Sequence, residues 1–226
     1  MERIAVIGLG RFGERLAALL TEGGAEVIAI DSNRDVVDDV RDKVTLAVCL
    51  DGTDEKALRA QGVDKVNVAV VGIGSDLEVS SLTTVILKQI GVPRVIARAT
   101  TPMHAEILSR IGADDIANPE YESAERWRGR LLAPAILEKV VLAEGYSLVQ
   151  VEAPERFHGR APAALNVGNK YNVLVVAIRR HVDEQGEPLS RERVIPGPGP
   201  NDRILVKDVL TLVGSDASIA KFPTRK

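Results

Sequence analysis

The sequence predicts an α/β fold: a doubly wound parallel Rossmann sheet followed by a smaller C-terminal α+β domain. In the first half of the chain, short and nearly all-apolar runs alternate with longer amphipathic segments. Such runs suit strands that are buried on both faces of a parallel sheet, and the alternation suits helices that cross between them. A glycine-rich turn also joins the first apolar run to the first amphipathic segment, as dinucleotide-binding sheets require.

Residues 1–120 are expected to form the sheet domain, with five strands and five helices. The expected strands are Ile4–Ile7, Val27–Ile30, Thr45–Val48, Val68–Val71 and Val95–Ala97. The expected helices are Phe12–Leu20, Arg34–Arg41, Glu55–Gln61, Leu77–Ile90 and Met103–Ile111.

The pattern changes near Pro119. Residues 121–144 are predicted to form a connecting helix, broken at Pro134 because proline removes a helix N–H. Residues 145–226 are expected to form the smaller domain, and His181–Arg193 is predicted to be turn-rich. The proline–glycine run at 196–200 excludes a helix or an inner strand. The expected elements are strands at Leu148–Val151, Val173–Ile178, Ile204–Val206 and Leu210–Val213, and a last helix at Ser215–Lys221.

Composition excludes several classes of function. There are 29 Lys and Arg against 32 Asp and Glu, and aromatic residues are only 3%, so a nucleic-acid-binding surface is not expected. One cysteine cannot form an internal disulfide or a cysteine-type zinc site. No apolar run reaches the ~18 residues of a membrane span, and the N-terminus lacks a signal-peptide pattern. A cytoplasmic protein is therefore expected.

The motif Gly8-Leu9-Gly10-Arg11-Phe12-Gly13 follows the first strand and opens a helix. Gly8 permits the tight turn, Gly10 lets a phosphate approach the backbone, and Gly13 lets the helix lie close to the strand. The start of the helix then presents free N–H groups and the positive end of its dipole to an anion. The alternative is a plain tight turn without a ligand.

Asp31 follows the second strand at about the spacing that the dinucleotide fingerprint requires. Its carboxylate can accept hydrogen bonds from both ribose hydroxyls and would repel a 2′-phosphate, which favours adenosine or NAD over NADP. The alternative is a helix cap, because Asp31, Ser32 and Asn33 are all good capping residues.

Two further loops are expected at the ligand-binding edge of the sheet, Asp51-Gly52-Thr53 and Gly72-Ile73-Gly74. Asp51 can reach an adenine amino group or cap a helix, and the small residues of the other loop leave room for a ligand or simply form a turn. Arg11 adds a guanidinium fork for phosphate oxygens, with a solvated surface arginine as the alternative.

No catalytic constellation accompanies the predicted nucleotide site. The sequence has no Tyr-x-x-x-Lys, Gly-x-Ser-x-Gly or His-x-x-x-His pattern. His104, His158 and His181 are expected at the surface, and Cys49 in the core. A cofactor site without catalytic groups indicates sensing rather than turnover.

These motifs resemble the RCK (KTN) regulatory subunits of bacterial Ktr/Trk potassium-uptake systems. The resemblance is carried by Ile4–Gly13, Asp31-x-Asn33, Ser81-Leu82-Thr83-Thr84, Ile111-Gly112-Ala113-Asp114 and Asn118-Pro119-Glu120, and more loosely by Leu165-Asn166-Val167 through Lys170-Tyr171. It implies an RCK-N domain that binds ATP, ADP or NAD(H), and an RCK-C domain after it. It also implies a homo-oligomer, typically an octameric ring of dimers, docked on a membrane potassium-translocating subunit.

The resemblance also implies roles for particular residues. Asp31 and Asn33 match ribose contacts, and Arg11 matches a residue that reaches the terminal phosphate. Arg98 matches a basic position in the fifth strand facing the nucleotide, and a purely structural role is the alternative. Glu120 matches an acidic residue at which a divalent cation, Mg²⁺ or Ca²⁺, can bridge subunits. On the sequence alone, Glu120 is equally an ordinary helix-start carboxylate.

One departure concerns the second domain, which in this family can bind cyclic di-AMP with the help of a basic residue. This chain has Gly168 at the matching position, which leaves cyclic di-AMP binding open. The predicted function is a cytosolic, non-enzymatic nucleotide sensor that gates potassium transport. The alternatives are a regulatory module of another cation channel or antiporter, and a small NAD-dependent oxidoreductase.

Overall fold

The computed structural model describes residues 2–132, 135–183 and 187–223. The chain divides into two compact units, Met1–Ser123 and Ala124–Lys226. Within the described ranges, no helix is long and apolar enough to cross a membrane.

The first unit is built on a six-stranded parallel sheet with the order β3-β2-β1-β4-β5-β6. The strands are β1 (Arg3–Ile7), β2 (Glu26–Asp31), β3 (Leu46–Cys49), β4 (Val68–Val71), β5 (Arg94–Arg98) and β6 (Asp115–Ala117). The helices are α1 (Arg11–Glu22), α2 (Arg34–Val40), α3 (Glu55–Ala60), α4 (Leu77–Gln89) and α5 (Pro102–Arg110). Helix α6 (Pro119–Leu132) begins in this unit, and its residues from Ala124 onward belong to the second. The strand order reverses between β1 and β4, so the predicted doubly wound fold is confirmed. In sheets of this kind, ligands bind in the crevice at such a reversal.

The central strands are apolar because both faces of the sheet are covered. Ala5 and Ile7 of β1 pack into one core and Val6 into the other, and all three are fully or almost fully buried. Cys49 is exposed, so its expected place in the core is wrong. The reason is that β3 is the edge strand of the sheet, which pairs on one side only.

Helix α1 differs from the next four helices in the capping of its first turn. Side-chain oxygens of Asn33, Asp54, Asp76 and Thr101 accept a backbone N–H in the first turn of α2, α3, α4 and α5. Helix α1 begins at Arg11, and Gly10 at its N-cap position has no side chain to accept a hydrogen bond from the first turn. The N–H groups of its first turn are therefore left to a ligand or to water.

The second unit is an antiparallel sheet with the order β10-β9-β11-β8-β7 and two short helices. Its strands are β7 (Ile136–Ala143), β8 (Tyr146–Glu152), β9 (Val173–Val182), β10 (Pro188–Pro196) and β11 (Val209–Ser215), and its helices are α7 (Val167–Tyr171) and α8 (Asp216–Ala220). Val149, Ile178 and Leu212 lie in its core.

The connecting helix predicted over 121–144 is wrong in its second half. Helix α6 ends at Leu132, and Ile136–Ala143 forms β7, while the expected break at Pro134 lies outside the described residues. Ala143 pairs with Tyr146, so a two-residue turn ending at Gly145 (φ +74°) returns the chain as a hairpin. The apolar run is compatible with helical spacing, but the hairpin turn decides in favour of a strand.

Three other expectations are corrected. Most of His181–Arg193 is strand rather than turn, because β10 is an edge strand that tolerates polar residues on both faces. Ile204–Val206 is a loop, although Ile204 is fully buried and exchanges backbone hydrogen bonds with Gly159 and Arg160. Strand β6 was not expected, because it has only three residues and one large apolar side chain.

His104 is buried rather than exposed, which corrects its expected surface position. Only 5% of the residue is accessible, and its Nε2 lies 2.9 Å from the hydroxyl of Ser80, which is itself fully buried. Burial lowers the pKa of His104, because desolvation disfavours the charged imidazolium.

Gly13 is expected to be irreplaceable for folding, whereas Gly10 is not. A Cβ at Gly13 would lie 2.0 Å from the carbonyl oxygen of Gly8, whereas a Cβ at Gly10 would meet nothing within 4 Å. Gly13→Ala should lower the free energy of unfolding by at least about 1–3 kcal/mol, and Gly10→Ala by less than about 1 kcal/mol. Urea denaturation measures both, and equal stability of the two variants would contradict the assigned packing.

His104 should make the protein less stable in acid. Its folded pKa lies below the ordinary 6.5, so below about pH 6.5 the unfolded chain binds a proton that the folded chain does not. The free energy of unfolding should fall as the pH drops below about 6.5, with a slope below the one-proton limit of about 1.4 kcal/mol per pH unit. The slope between pH 7.5 and 5.5 should flatten in His104→Gln and persist in His181→Gln. An unchanged slope in His104→Gln would show that this imidazole is not responsible.

Candidate functional site

The glycine-rich loop is packed tightly against the ends of β1 and β4. Gly8 adopts φ +92°, and its N–H donates to the carbonyl of Ile30 at 2.8 Å. Its own carbonyl oxygen lies so close to Gly13 and Gly72 that a Cβ at either position would come within 2.6 Å of it. The loop is therefore held in one shape before any ligand arrives.

Asp31 ties this loop to the end of β2. The N–H of Leu9 donates to its Oδ2 at 2.7 Å, and the N–H of Asn33 donates to its Oδ1 at 2.8 Å. The side chain of Asn33, not that of Asp31, caps α2. Each carboxylate oxygen retains an acceptor site, as two ribose hydroxyls would need.

A cleft of about 260 Å³ opens beside Asp31. Its charged groups are the carboxylates of Asp31, Asp51 and Asp76, and no basic residue lines it within the described part of the chain. Backbone and side chains of Ile7, Gly8, Ser32, Leu50, Gly52, Ile73 and Val79 complete its walls. Such a cleft suits a flat, uncharged group that carries hydrogen-bond donors.

Asp51 is held in a turn at the edge of this cleft. The N–H of Thr53 donates to Oδ1 of Asp51 at 2.8 Å, and the hydroxyl of Thr53 donates to the same oxygen at 2.7 Å. These two bonds keep the pKa of Asp51 below its usual range. The alternative role of Asp51 as a helix cap is wrong, because Asp54 caps α3.

A second concavity of about 560 Å³ lies on the other side of the glycine loop, and its charge is opposite. It is lined by Arg11, Arg15 and Arg98, with a single carboxylate, Glu120, and by the apolar groups of Phe12, Leu16, Leu19 and Pro119. We refer to it as the basic groove. Three guanidinium groups against one carboxylate suit an anion.

Arg98 and Glu120 form an ion pair inside the basic groove. Nη2 of Arg98 lies 2.5 Å from Oε1 of Glu120, and the guanidinium also lies 5.8 Å from the ring centre of Phe12. The pKa of Glu120 is lowered first by its own backbone N–H at the start of α6, then by Arg98 and, more weakly, by the charge of Arg11. Glu120 is therefore ionised at neutral pH.

A divalent cation at Glu120 would need ligands that this unit does not gather. Among the residues that the structure describes, Glu120 is the only carboxylate of the basic groove, and it is engaged by Arg98. Across the described ranges, no group of three or more His, Cys, Asp or Glu side chains is arranged to hold a metal ion. The residues present fit one ligand of a shared site, not a complete one.

The remaining predicted residues support the two concavities without lining them. Gly10 directly precedes α1, Gly13 and Gly72 pack against Gly8, and Asn33 and Thr53 hold the turns after β2 and β3. Gly74 leaves room for Arg98, because a Cβ there would lie 2.9 Å from its guanidinium. The structure thus brings all the predicted positions to one edge of the sheet, and their contacts with a ligand stay predictions.

Two side chains of the site were not predicted from the sequence. Asp76 caps α4 and also lines the cleft, and Arg15 lines the basic groove one helical turn after Arg11. The i,i+4 spacing of the two arginines was visible in the sequence. Asp76 could have been found as the capping residue that follows the Gly72–Gly74 loop.

These features define a Rossmann-type unit with an acidic cleft and a basic groove beside its glycine loop, followed by an antiparallel unit. The family model described as the TrkA-N domain matches residues 4–119. The chain belongs to the TrkA-N family, as the glycine-loop resemblance predicted. Its relatives include the Ktr system potassium uptake protein C of Bacillus subtilis (strain 168), which is 35% identical over 99% of this chain and 97% of that protein.

Solved structures agree with the fold. The GsuK channel superimposes with a TM-score of 0.66 over 100% of this chain and 40% of that chain, at 14% identity, which supports the architecture alone. The structure of GsuK bound to ADP superimposes with a TM-score of 0.50 at 26% identity, over 57% of this chain and 34% of that one.

Proposed function

We propose that this protein is a non-enzymatic, nucleotide-sensing regulatory subunit of a bacterial potassium-uptake system. ATP or ADP, or NAD(H), would bind at the glycine loop and change the shape of an oligomer that contacts a membrane ion-translocating subunit. Two comparisons support the proposal. One is with a relative that is named a potassium uptake protein and that matches this chain along almost its whole length. The other is with the ADP complex of GsuK.

The division of charge around the glycine loop is the observation that carries the nucleotide assignment. The cleft is lined by Asp31, Asp51 and Asp76, whereas the groove is lined by Arg11, Arg15 and Arg98 with Glu120. Adenosine has donors on its amino group and ribose and carries no charge, while its phosphates are anionic. A ligand with both ends, spanning the uncapped start of α1, matches this division.

Sensing requires an interaction that differs between ligands. ATP and ADP share adenine, ribose and two phosphates, so contacts to those groups supply affinity but cannot shift a conformational equilibrium. Only the terminal phosphate distinguishes them, and Arg11 and Arg98 are the residues proposed to reach it. A near-complete shift needs about 5.5 kcal/mol of differential binding, more than the ~1.5–3 kcal/mol of one charged hydrogen bond, and repetition around an oligomer would add the rest.

This proposal assigns a role to each part of the chain. Residues 1–120 would be the nucleotide-binding domain and 145–226 the smaller ligand-binding domain, with Pro119–Leu132 and Ile136–Ala143 between them. Glu120 would contribute one ligand to a divalent cation completed by phosphate oxygens and a second copy of the chain. The protein would lie in the cytoplasm, on the inner face of the membrane through its partner.

A second candidate is the regulatory module of another cation channel, which the fold shared with the GsuK channel favours. Both candidates use the same nucleotide chemistry, so only the membrane partner separates them. Affinity purification of the intact chain from its native membranes, with identification of the co-purifying integral protein, would distinguish an uptake subunit from a channel.

The decisive experiment measures potassium flux. The full chain would be reconstituted with its membrane partner in vesicles, and flux would be recorded with ATP, ADP, NADH or no nucleotide. A nucleotide-dependent change in flux is expected without consumption of the nucleotide. Steady turnover of any of these compounds by the chain alone, or flux that ignores all of them, would contradict the proposal.

Asp31→Ala should remove recognition of the ribose. The wild-type protein is expected to bind ATP at least tenfold more tightly than 2′,3′-dideoxy-ATP, because a charge-assisted hydrogen bond is worth roughly 1.5–3 kcal/mol. The variant should bind both compounds with the same low affinity in calorimetry. If ATP, ADP and NAD titrations were unchanged, the cleft would be the wrong pocket.

Arg11→Ala should lower the preference for ATP over ADP more than it lowers the affinity for ADP. The reason is that its guanidinium lines the basic groove rather than the cleft where the shared adenosine would lie. Calorimetric titration with both nucleotides measures the ratio of the two dissociation constants. An equal loss of both affinities would refute a terminal-phosphate role.

A further inference from the structure

The basic groove contains one arginine to which the proposed function assigns no part in phosphate binding. Arg15 lines it together with Arg11, one turn earlier on α1. Residues four apart project from the same side of a helix, and both arginines line this groove. Arg15 also lines a neighbouring concavity that contains Glu14, Glu22, Asp42 and Lys43. Arg98 approaches from the end of β5.

The charges of this groove do not balance. Arg98 is paired with Glu120 at 2.5 Å, and the neighbouring carboxylate of Glu14 is taken by Lys43 at 2.9 Å. Within the part of the chain that the structure describes, Arg11 and Arg15 form no ion pair. Two like charges one helical turn apart destabilise a helix, so the pair costs stability unless an anion joins them.

We propose that Arg15 is a second terminal-phosphate-binding residue and that it determines specificity for a nucleoside triphosphate over a diphosphate. This inference rests on the proposed nucleotide-sensing function. The groove carries three guanidinium charges and one carboxylate, which leaves an excess of two positive charges. A terminal phosphate is close to a dianion at neutral pH, and an arginine fork matches its oxygens in geometry as well as in charge.

A second arginine also accounts for the size of the response that a sensor needs. Moving an equilibrium from 1:99 to 99:1 requires about 10⁴-fold preference of the ligand for one state. One charged hydrogen bond supplies about 10- to 100-fold, and two such contacts multiply to about 10²- to 10⁴-fold. Arg11 and Arg15 together therefore meet the requirement of a full switch within one subunit only at the top of this range, whereas one arginine falls well short of it.

The test compares ATP and ADP binding to the full chain by isothermal titration calorimetry. In Arg15→Ala, ATP affinity should fall at least about tenfold while ADP affinity changes less than about twofold. The ATP affinity of Arg15→Lys, which keeps the positive charge but lacks the planar guanidinium, should lie between the affinities of wild type and Arg15→Ala. The control is Arg59→Ala, an exposed arginine of α3 that pairs with Glu55 and lines neither concavity; both affinities should be unchanged.

Each result bears on the inference. Loss of ATP affinity alone in Arg15→Ala supports it. An equal loss for ATP and ADP would indicate a general electrostatic effect and overturn it, as would unchanged binding of both nucleotides. If the wild-type protein bound neither nucleotide, the proposed function itself would fail. If the wild-type protein bound both nucleotides and the Arg15 variants bound both with unchanged affinity, only the role of Arg15 would be overturned.

Discussion

The contact between the carbonyl oxygen of Gly8 and the Cα atoms of Gly13 and Gly72 is the constraint on which the site depends. It holds the start of α1 close to the ends of β1 and β4. Only with the loop in this position can the N–H of Leu9 reach Asp31 at 2.7 Å. A larger residue at 13 would push the helix away and separate the cleft from the basic groove. Close packing therefore sets the geometry, and the polar groups are built on it.

The placement of charge follows from this geometry. Asp31 ends β2 and Asp51 follows β3, on one side of the glycine loop, whereas Arg98 ends β5, on the other. Because the strand order reverses between β1 and β4, the two groups of charges flank the uncapped start of α1. Under the proposed function, a ligand that is neutral at one end and anionic at the other would contact both groups of charges at once. Affinity and discrimination would then reside in different residues, as a sensor requires.

The failures of sequence reasoning share one physical cause. Ile136–Ala143 carries an apolar spacing that suits a helix, but pairing with β8 makes it a strand. His104 carries a polar side chain on an amphipathic helix, but its contact with Ser80 of α4 buries it. Cys49 ends an apolar run, but the run lies at the edge of the sheet and leaves it exposed. In each case the place of the segment in the tertiary structure, and not the local pattern, decided the outcome.

The sequence by itself determined the fold class of the first unit and the residues of the glycine loop and of Asp31, because these depend on periodicity and on a turn between adjacent elements. Only the tertiary structure decided that Asp76 joins the acidic cleft, that Arg15 joins Arg98 and Glu120 in one groove, and that Glu120 is already paired. Those groups come from different strands and helices. Their proximity depends on the order of strands in the sheet, which no local pattern of residues specifies.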